Sequence, residues 1–589
     1  MFKLFKYVKW QEWLLIILAV GFVALQVWCN ISIPQSTLKI SEYFDISTSG
    51  PLADNWENML KECLIILAYA GGMIIAAIIA NYIVSYVITN LLARVRSKLF
   101  AKVNSFSSKE INGFSLPSLI TRTTNDVNQL QQVLTTLLTL GVNAPLTAIF
   151  AIINIVNLSG QNNAGSLSLV NVVSVILICL VVSMLIFAVI PKFKKIQAAT
   201  DSLNKVTREN LTGLKVVRAN RAEKTQEAKF EKENNHFAKL ELYVGKFLSA
   251  ISPSLTFLMQ GTSLAIVWII GFLAKENPST IALMGAFTQY SNFIIMSFTS
   301  LSMLFMFLPR GLISGKRICE VLDTDLSLVD GENKGKEENK GEVEFKNVFF
   351  KYPDADEYVL EDISFKVKKG QTIAFIGSTG SGKSTLINLI PRFYDCSEGE
   401  ILVNGENVKN YSQKDLHDLI GYVPQKGLLF SGTVEDNIKY GKEDATREEV
   451  EKVIDISQSN FIYNFEEGLE HHISQGGKNV SGGQKQRLSI ARAIIKDADI
   501  LIFDDSFSAL DYKTDKTVRR NLNKAYKDTT KIIVAQRIGT IMNADKIIVL
   551  NEGKMVGVGK HKDLLKTCDV YREIALSQLS QEELDKWAK

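Results

Sequence analysis

The sequence predicts a membrane α-helical domain of six transmembrane helices joined to an α/β phosphate-loop domain. Three observations lead there. The chain has 589 residues, more than one hydrophobic core serves. Long apolar runs dominate it up to about Pro309, and short buried strands interspersed with helical stretches follow from about Asp323. In that second part Gly377-Ser378-Thr379-Gly380-Ser381-Gly382-Lys383-Ser384-Thr385 stands between an apolar strand and a helix, the setting of a phosphate-binding loop.

Six apolar stretches are long enough to cross a bilayer as helices: Trp13–Ile33, Cys63–Leu92, Leu134–Leu158, Leu167–Ile190, Phe247–Leu273 and Ile281–Leu308. A buried helix of a soluble protein can imitate one of them, but not six in succession with almost no internal charge. Lysine and arginine set the orientation. Lys3, Lys6 and Lys9 precede the first span; Arg94, Arg96, Lys98, Lys102, Lys109 and Arg122 follow the second; Lys192, Lys194, Lys195, Lys205, Arg208, Lys215, Arg218 and Arg221 follow the fourth. The loop after span one is mildly acidic (Glu42, Asp45, Asp54, Glu57), and Ser159–Ser166 carries no charge. Both termini are therefore expected on the cytoplasmic side of the plasma membrane. The first span is long, lacks a small-residue cleavage site and precedes others, so it reads as retained rather than as a signal peptide. The net charge of +4 comes from basic residues that flank the membrane, which leaves no nucleic-acid footprint. The six cysteines show neither metal nor disulfide spacing.

The loops after spans two and four continue the helical pattern well past the bilayer, over Leu92–Val103, Asp126–Leu140 and Lys192–Leu211. Short non-helical tips are expected at Asn112–Leu119 and Gly213–Ala219, broken by Gly113, Pro117 and Gly213. Such tips suit contact with another domain, or are ordinary solvated loops. Asp323–Gly341 is rich in Asp, Glu, Lys, Gly and Asn without apolar period and reads as a linker. The expected division is residues 1–322 for the membrane domain, 323–340 for the linker and 341–589 for the nucleotide-binding domain. Strands are expected at Val343–Phe350, Tyr358–Val367, Thr372–Ile376, Asp499–Phe503 and Lys531–Val534, with a helix from Lys383 to Ile390.

The phosphate loop uses glycines so that backbone N–H groups can approach phosphates, and the following helix N-terminus adds a favourable dipole. Lys383 would contact the β and γ phosphates, and the Ser384 hydroxyl would ligate Mg²⁺. Ile500-Leu-Ile-Phe-Asp504 is an apolar strand ending in an acid placed to hold Mg²⁺ directly or through water. Val480-Ser481-Gly482-Gly483-Gln484 precedes a helix expected at Lys485–Lys496 and makes a second anion site. One phosphate loop does not need a second such site; two make sense if two domains meet head to tail, each completing the other.

With these motifs in their order, the chain resembles ATP-binding cassette transporters of the exporter type over nearly its whole length. Ser481, Gly482, Gly483 and Gln484 match the family signature, with Val480 where Leu is commoner. The resemblance implies that Tyr352 stacks on adenine, that Gln425 senses Mg²⁺ and couples to the membrane domain, and that Ser508-Ala-Leu-Asp511 communicates between two nucleotide sites. It makes Asn112–Leu119 and Gly213–Ala219 the coupling segments, and implies two six-helix halves and two cassettes that bind ATP with Mg²⁺.

Two residues depart from the family pattern. Asp505 stands where the family carries the Glu that polarises the attacking water, and its carboxylate is drawn back by about one bond length. Ala535-Gln536-Arg537 stands where Ala-His-Arg is usual, and Gln cannot become cationic. Gln475 also replaces a frequent Glu. The five histidines, at 236, 417, 471, 472 and 561, include none at the switch position and read as surface or loop residues. Binding residues kept beside two altered reaction residues point to the degenerate-site subunit of a heterodimeric multidrug exporter, paired with a second half-transporter. The alternatives are a homodimeric lipid flippase or peptide exporter, and an ATP-gated membrane regulator that transports nothing. Gln260, Gln289, Tyr290, Asn292, Phe293, Met296 and Phe298 suit either a cavity for small amphiphilic molecules or plain helix packing.

Overall fold

The computed structural model describes residues 2–43, 56–161, 165–275, 278–353 and 355–579. Asp45, Asp54 and residues 162–164, from the loops after the first and third expected spans, lie outside them. The chain forms two units, Met1–Asn104 with Leu116–Thr324, and Ser105–Ser115 with Asp325–Lys589.

The first unit is helical. After a 3₁₀ turn at Phe2–Tyr7 come α1 (Trp10–Tyr43) and α2 (Trp56–Asn104). A short α3 (Ser108–Phe114) belongs to the second unit. The first resumes with α4 (Leu116–Thr123), α5 (Asn125–Gln161), α6 (Gly165–Thr212), α7 (Leu214–Ala219), α8 (Glu223–Leu273) and α9 (Leu283–Leu322). Five of these, α1, α2, α5, α8 and α9, are long and apolar enough to cross a membrane. The fourth expected span falls in α6, whose described apolar stretch is Gly165–Val181. The 49 residues of α2 reach about 70 Å at helical rise, more than twice a hydrocarbon core. The expected extensions are continuous with their spans, and α6 runs on through Pro191 between its span and its extension.

The expected non-helical tips are short helices instead. Ser107 caps α3 through a capping box with Glu110, so Gly113 is carried inside a helix whose start is already fixed. Pro117 sits in the first turn of α4, where its missing N–H costs nothing. Ser115, which follows α3, takes a positive φ of 63°.

Polar side chains join the membrane helices in pairs. Tyr290 Oη donates to the Ile31 carbonyl (3.1 Å), Ser291 Oγ to Asn171 Oδ1 (2.5 Å), and Gln35 Nε2 to Asn154 Oδ1 (2.6 Å). Ser174 and Thr262 hydroxyls meet at 2.8 Å. Tyr290 is fully buried, and Phe293 and Phe298 pack against the same cluster, so these three serve helix packing; Met296 remains exposed.

The second unit is built on a six-stranded sheet of order β12-β11-β3-β10-β9-β6. These are β3 (Thr372–Gly377), β6 (Ile420–Val423), β9 (Ile500–Asp504), β10 (Thr530–Val534), β11 (Lys546–Asn551) and β12 (Lys554–Gly559), all parallel except β12. Alternate residues face two cores. Ala374 and Ile376 point to one, and Ile373 and Phe375 to the other; Leu501 and Phe503 oppose Ile500 and Ile502 in the same way. One face packs helices including α11 (Val434–Lys439), α12 (Arg447–Ile456), α13 (Gly482–Ile494) and α14 (Tyr512–Ala525). The other packs α10 (Lys383–Leu389) and an antiparallel sheet β2-β1-β4-β5, formed by β1 (Val343–Phe350), β2 (Leu360–Val367), β4 (Glu398–Val403) and β5 (Glu406–Asn407). α13 begins at Gly482, three residues before the sequence-based start, because Ser481 caps it. The acidic and basic stretch after Asp323 is pinned by backbone bonds from Gly331, Asn333 and Lys336 to the carbonyls of Tyr411, Asn410 and Asn404. His561, expected at the surface, is buried, and its Nδ1 lies 2.6 Å from the Tyr571 hydroxyl.

Phe375 is fully buried between neighbouring strands of the sheet. Phe375→Ala should destabilise the second unit by about 3–5 kcal/mol, seen as a lowered thermal transition of the full chain.

Candidate nucleotide-binding site

The parallel register gathers the motif residues at one edge. Val534 lies opposite Phe375 on one side and Asp504 on the other, so β3, β10 and β9 end together. The phosphate loop leaves β3 at Gly377, where an added Cβ would lie 2.1 Å from the Leu550 carbonyl oxygen. Gly382 takes φ 91° as it turns into α10, a conformation only glycine adopts freely.

Lys383 is 9 % exposed, and its ammonium donates to the carbonyls of Gly377 (2.9 Å) and Ser378 (2.6 Å) and to Ser381 Oγ (3.2 Å). Burial pushes its pKa down, against the opposing pull of Asp505 and Asp504. Ser384 Oγ donates to Asp504 Oδ1 at 2.9 Å. Asp504 and Asp505 are both buried, and that burial raises both carboxyls above the usual range.

Asp505 turns out of β9 with φ 47°. Gln536 Nε2, just past β10, donates to Asp505 Oδ2 at 2.9 Å, and the nearby Gln425 side chain counters part of the upward push of burial on this carboxyl. Ser508 Oγ donates to the Asp505 carbonyl (2.8 Å), and Arg537 Nη2 to the Ser508 carbonyl (3.2 Å). Three of the sequence-assigned reaction residues, Gln425, Asp505 and Gln536, are thus brought together, the last two by a direct hydrogen bond.

Tyr352 joins the same edge through its hydroxyl, 3.0 Å from Thr385 Oγ1. Its ring meets Tyr394 edge to face at 5.3 Å, and the Tyr394 hydroxyl accepts from Asn112 Nδ2 of α3 at 3.3 Å. The signature segment serves its own helix here. Ser481 N–H donates to Gln484 Oε1 (2.8 Å), Gln484 N–H donates back to Ser481 Oγ (3.3 Å), and Gly482 and Gly483 form the first turn. Asp511 caps α14 by accepting from Thr514 N–H at 3.0 Å.

Sequence reasoning missed Tyr394 and Gln486. Buried Gln486 accepts from Gly427 N–H and donates to the Pro424 carbonyl, both at 3.2 Å, bracketing Gln425. Nothing in the spacing marks it apart from its place on the signature helix.

The residues fit ATP with Mg²⁺. The loop is a glycine cradle around a lysine ammonium, and Ser384, Asp504 and Gln425 offer the hard oxygens that Mg²⁺ takes alongside phosphate and water. No cluster of three or more His, Cys, Asp or Glu able to hold a metal occurs among the described residues.

The ABC transporter profile matches residues 360–508, and the ABC transporter transmembrane region matches residues 16–298. An uncharacterized ABC transporter ATP-binding protein of Mycobacterium tuberculosis (strain CDC 1551 / Oshkosh) is 36 % identical over 91 % of this chain and 92 % of its own. The chain belongs to the ABC transporter family. It has the make-up of an exporter half-transporter, a multi-pass membrane region followed by an ATPase domain. A putative multidrug export ATP-binding/permease protein of Bacillus subtilis is 33 % identical over 62 % of this chain and 63 % of its own. A bacterial Atm1-family ABC exporter with ATP bound shares the fold at a TM-score of 0.80 and 23 % identity, covering 96 % of this chain and 99 % of that one.

Removing the ammonium by Lys383→Ala should weaken ATP binding by about 10–100-fold, measured by fluorescent-nucleotide titration. The Asp505 carboxyl, raised by burial, binds its proton more tightly folded than unfolded. Its contribution to stability is therefore present below the ordinary carboxylate value and lost as pH rises through the raised one, leaving a standing cost at neutrality. Asp505→Asn should raise the melting temperature of the nucleotide-free chain at pH 7 and leave it unchanged near about pH 4.

Proposed function

We propose that this chain is one subunit of a heterodimeric exporter that moves drug-like or amphiphilic small molecules out across the plasma membrane. Both termini face the cytoplasm, and the chain's own Walker site holds ATP while hydrolysing it poorly. The observation that carries this is the bond between Gln536 and Asp505. The carboxylate that would polarise water is one methylene short of the usual Glu and already accepts from a neutral amide. A base must lie within hydrogen-bonding reach of the proton it takes, and a misplacement of about 1 Å can cost ~100-fold. Gln536 can still donate and accept, but it cannot carry the positive charge that an imidazolium would present to phosphate.

The binding residues are intact, which supports retention of ATP. Lys383 would hold the β and γ phosphates, and backbone N–H groups from Gly377 to Thr385 would line them. Ser384, Asp504 and Gln425 would hold Mg²⁺, which when bound neutralises phosphate charge. Tyr352 would stack on adenine. Ser481, Gly482, Gly483 and Gln484 would close over ATP held by the partner, with Asp511 at the contact between the two sites. The substrate class is supported by relatives named as putative multidrug exporters and by uncharged polar and Met side chains such as Gln289, Asn292 and Met296 on α9.

In the purified two-subunit transporter, replacing the partner's catalytic Glu should abolish ATP turnover. Asp505→Glu combined with Gln536→His should raise hydrolysis at this chain's site by at least about tenfold. Turnover that survives the partner change, or brisk phosphate release from an assembly made only of this chain, would sink the proposal.

A further inference from the structure

The loop that carries Gln536 has little local support. α15 (Ile538–Ile541) is only four residues long, and its N-cap, Arg537, makes no side-chain cap hydrogen bond. The first N–H groups of any helix have no partner within it and must find one elsewhere. Here the partner comes from the far end of the chain. α16 (Asp569–Leu576) is anchored by Tyr571 and Ala575, both fully buried, and Leu579 beyond it packs on the same core. Between them Gln578 reaches the loop. The Ile538 N–H donates to Gln578 Oε1 at 2.8 Å, and Gln578 Nε2 donates to the Gln536 carbonyl at 2.7 Å. One side-chain amide thus spans three residues, much as a neighbouring strand would, and fixes the backbone on both sides of Arg537.

The same device occurs elsewhere in this unit. Gln486 brackets the loop of Gln425 by one accepted and one donated bond, to Gly427 N–H and the Pro424 carbonyl. Both bracketed loops carry a glutamine to the neighbourhood of Asp505, and Gln536 is the one that donates to its carboxylate. Gln486 lies beside the signature, whereas Gln578 lies in the C-terminal segment, outside every motif of the site.

We infer that Gln578 is a positioning residue: it holds the backbone around Gln536 so that the Gln536 amide stays on Asp505, and the C-terminal segment thereby sets how long ATP is retained at this chain's site. The link to ATP rests on the site reading proposed above.

Two readouts on the full-length chain in nanodiscs test it. In hydrogen-exchange mass spectrometry, Gln578→Leu should speed exchange of the Ile538 amide by about tenfold, the loss expected for a hydrogen bond of ordinary strength. Gln578→Glu keeps the acceptor and should leave that amide protected, while losing the donation to Gln536. In ATP dissociation measurements, Gln578→Leu should release ATP severalfold faster, and should add nothing in a Gln536→Leu background, because both act through one path. Unchanged exchange at Ile538 in Gln578→Leu overturns this inference alone. Equal effects in both backgrounds also overturn it, since they would make Gln578 a general support of the fold. If Gln536→Leu by itself leaves ATP dissociation unaltered, the site reading fails, and the link to ATP fails with it.

Discussion

The side-by-side parallel pairing of β3, β10 and β9 is the constraint on which the site depends. Parallel strands run their carboxyl ends to the same edge, so the loops that follow them must emerge together. β3 delivers the phosphate loop, β9 delivers Asp504 and Asp505, and β10 delivers Gln536. More than 100 residues separate Ser384 from Asp504, yet register alone brings them to 2.9 Å. The alternation of buried residues on each strand fixes that register. A slip by one residue would turn Ile373 and Phe375 into the core meant for Ala374 and Ile376.

What lies beyond the strand ends is held differently. Loops have no ladder of backbone partners, so their geometry rests on side chains. Ser481 and Gln484 cap one helix, Asp511 caps another, and the amides of Gln486 and Gln578 each tie two backbone groups of a loop. A glutamine suits this because its amide offers a donor and an acceptor on one planar group. The result is that Gln425 and Gln536 come to Asp505 on loops that are themselves tied down, and the Gln536 amide orients its carboxylate.

Much of this was legible in the sequence. The strand from Val343 to Phe350 and the phosphate-loop helix at Lys383 sit where apolar runs and glycine punctuation put them, and the long helices run through their expected extensions. The errors have physical causes. Gly113 and Pro117 read as breakers, but a capping box and a first-turn position absorb them within short helices. α13 starts earlier than its pattern suggests because glycines mask helix propensity while Ser481 supplies the cap. His561 looked like a surface residue because its partner, Tyr571, sits on a separate helix. Tyr394, Gln486 and Gln578 could not be found at all. Their roles come from contacts across tens or hundreds of positions, and no periodicity or spacing records such contacts.

Lys383 carries a last consequence. Its ammonium is already satisfied by two carbonyls of its own loop and the Ser381 hydroxyl. These bonds tie the lysine to its own loop and so help to hold the shape of the cradle. The same internal bonds act as a filter. An incoming anion must offer several acceptors at once to replace the oxygens the lysine gives up, so a polyphosphate chain can displace them where a lone small anion leaves the ammonium worse solvated than before.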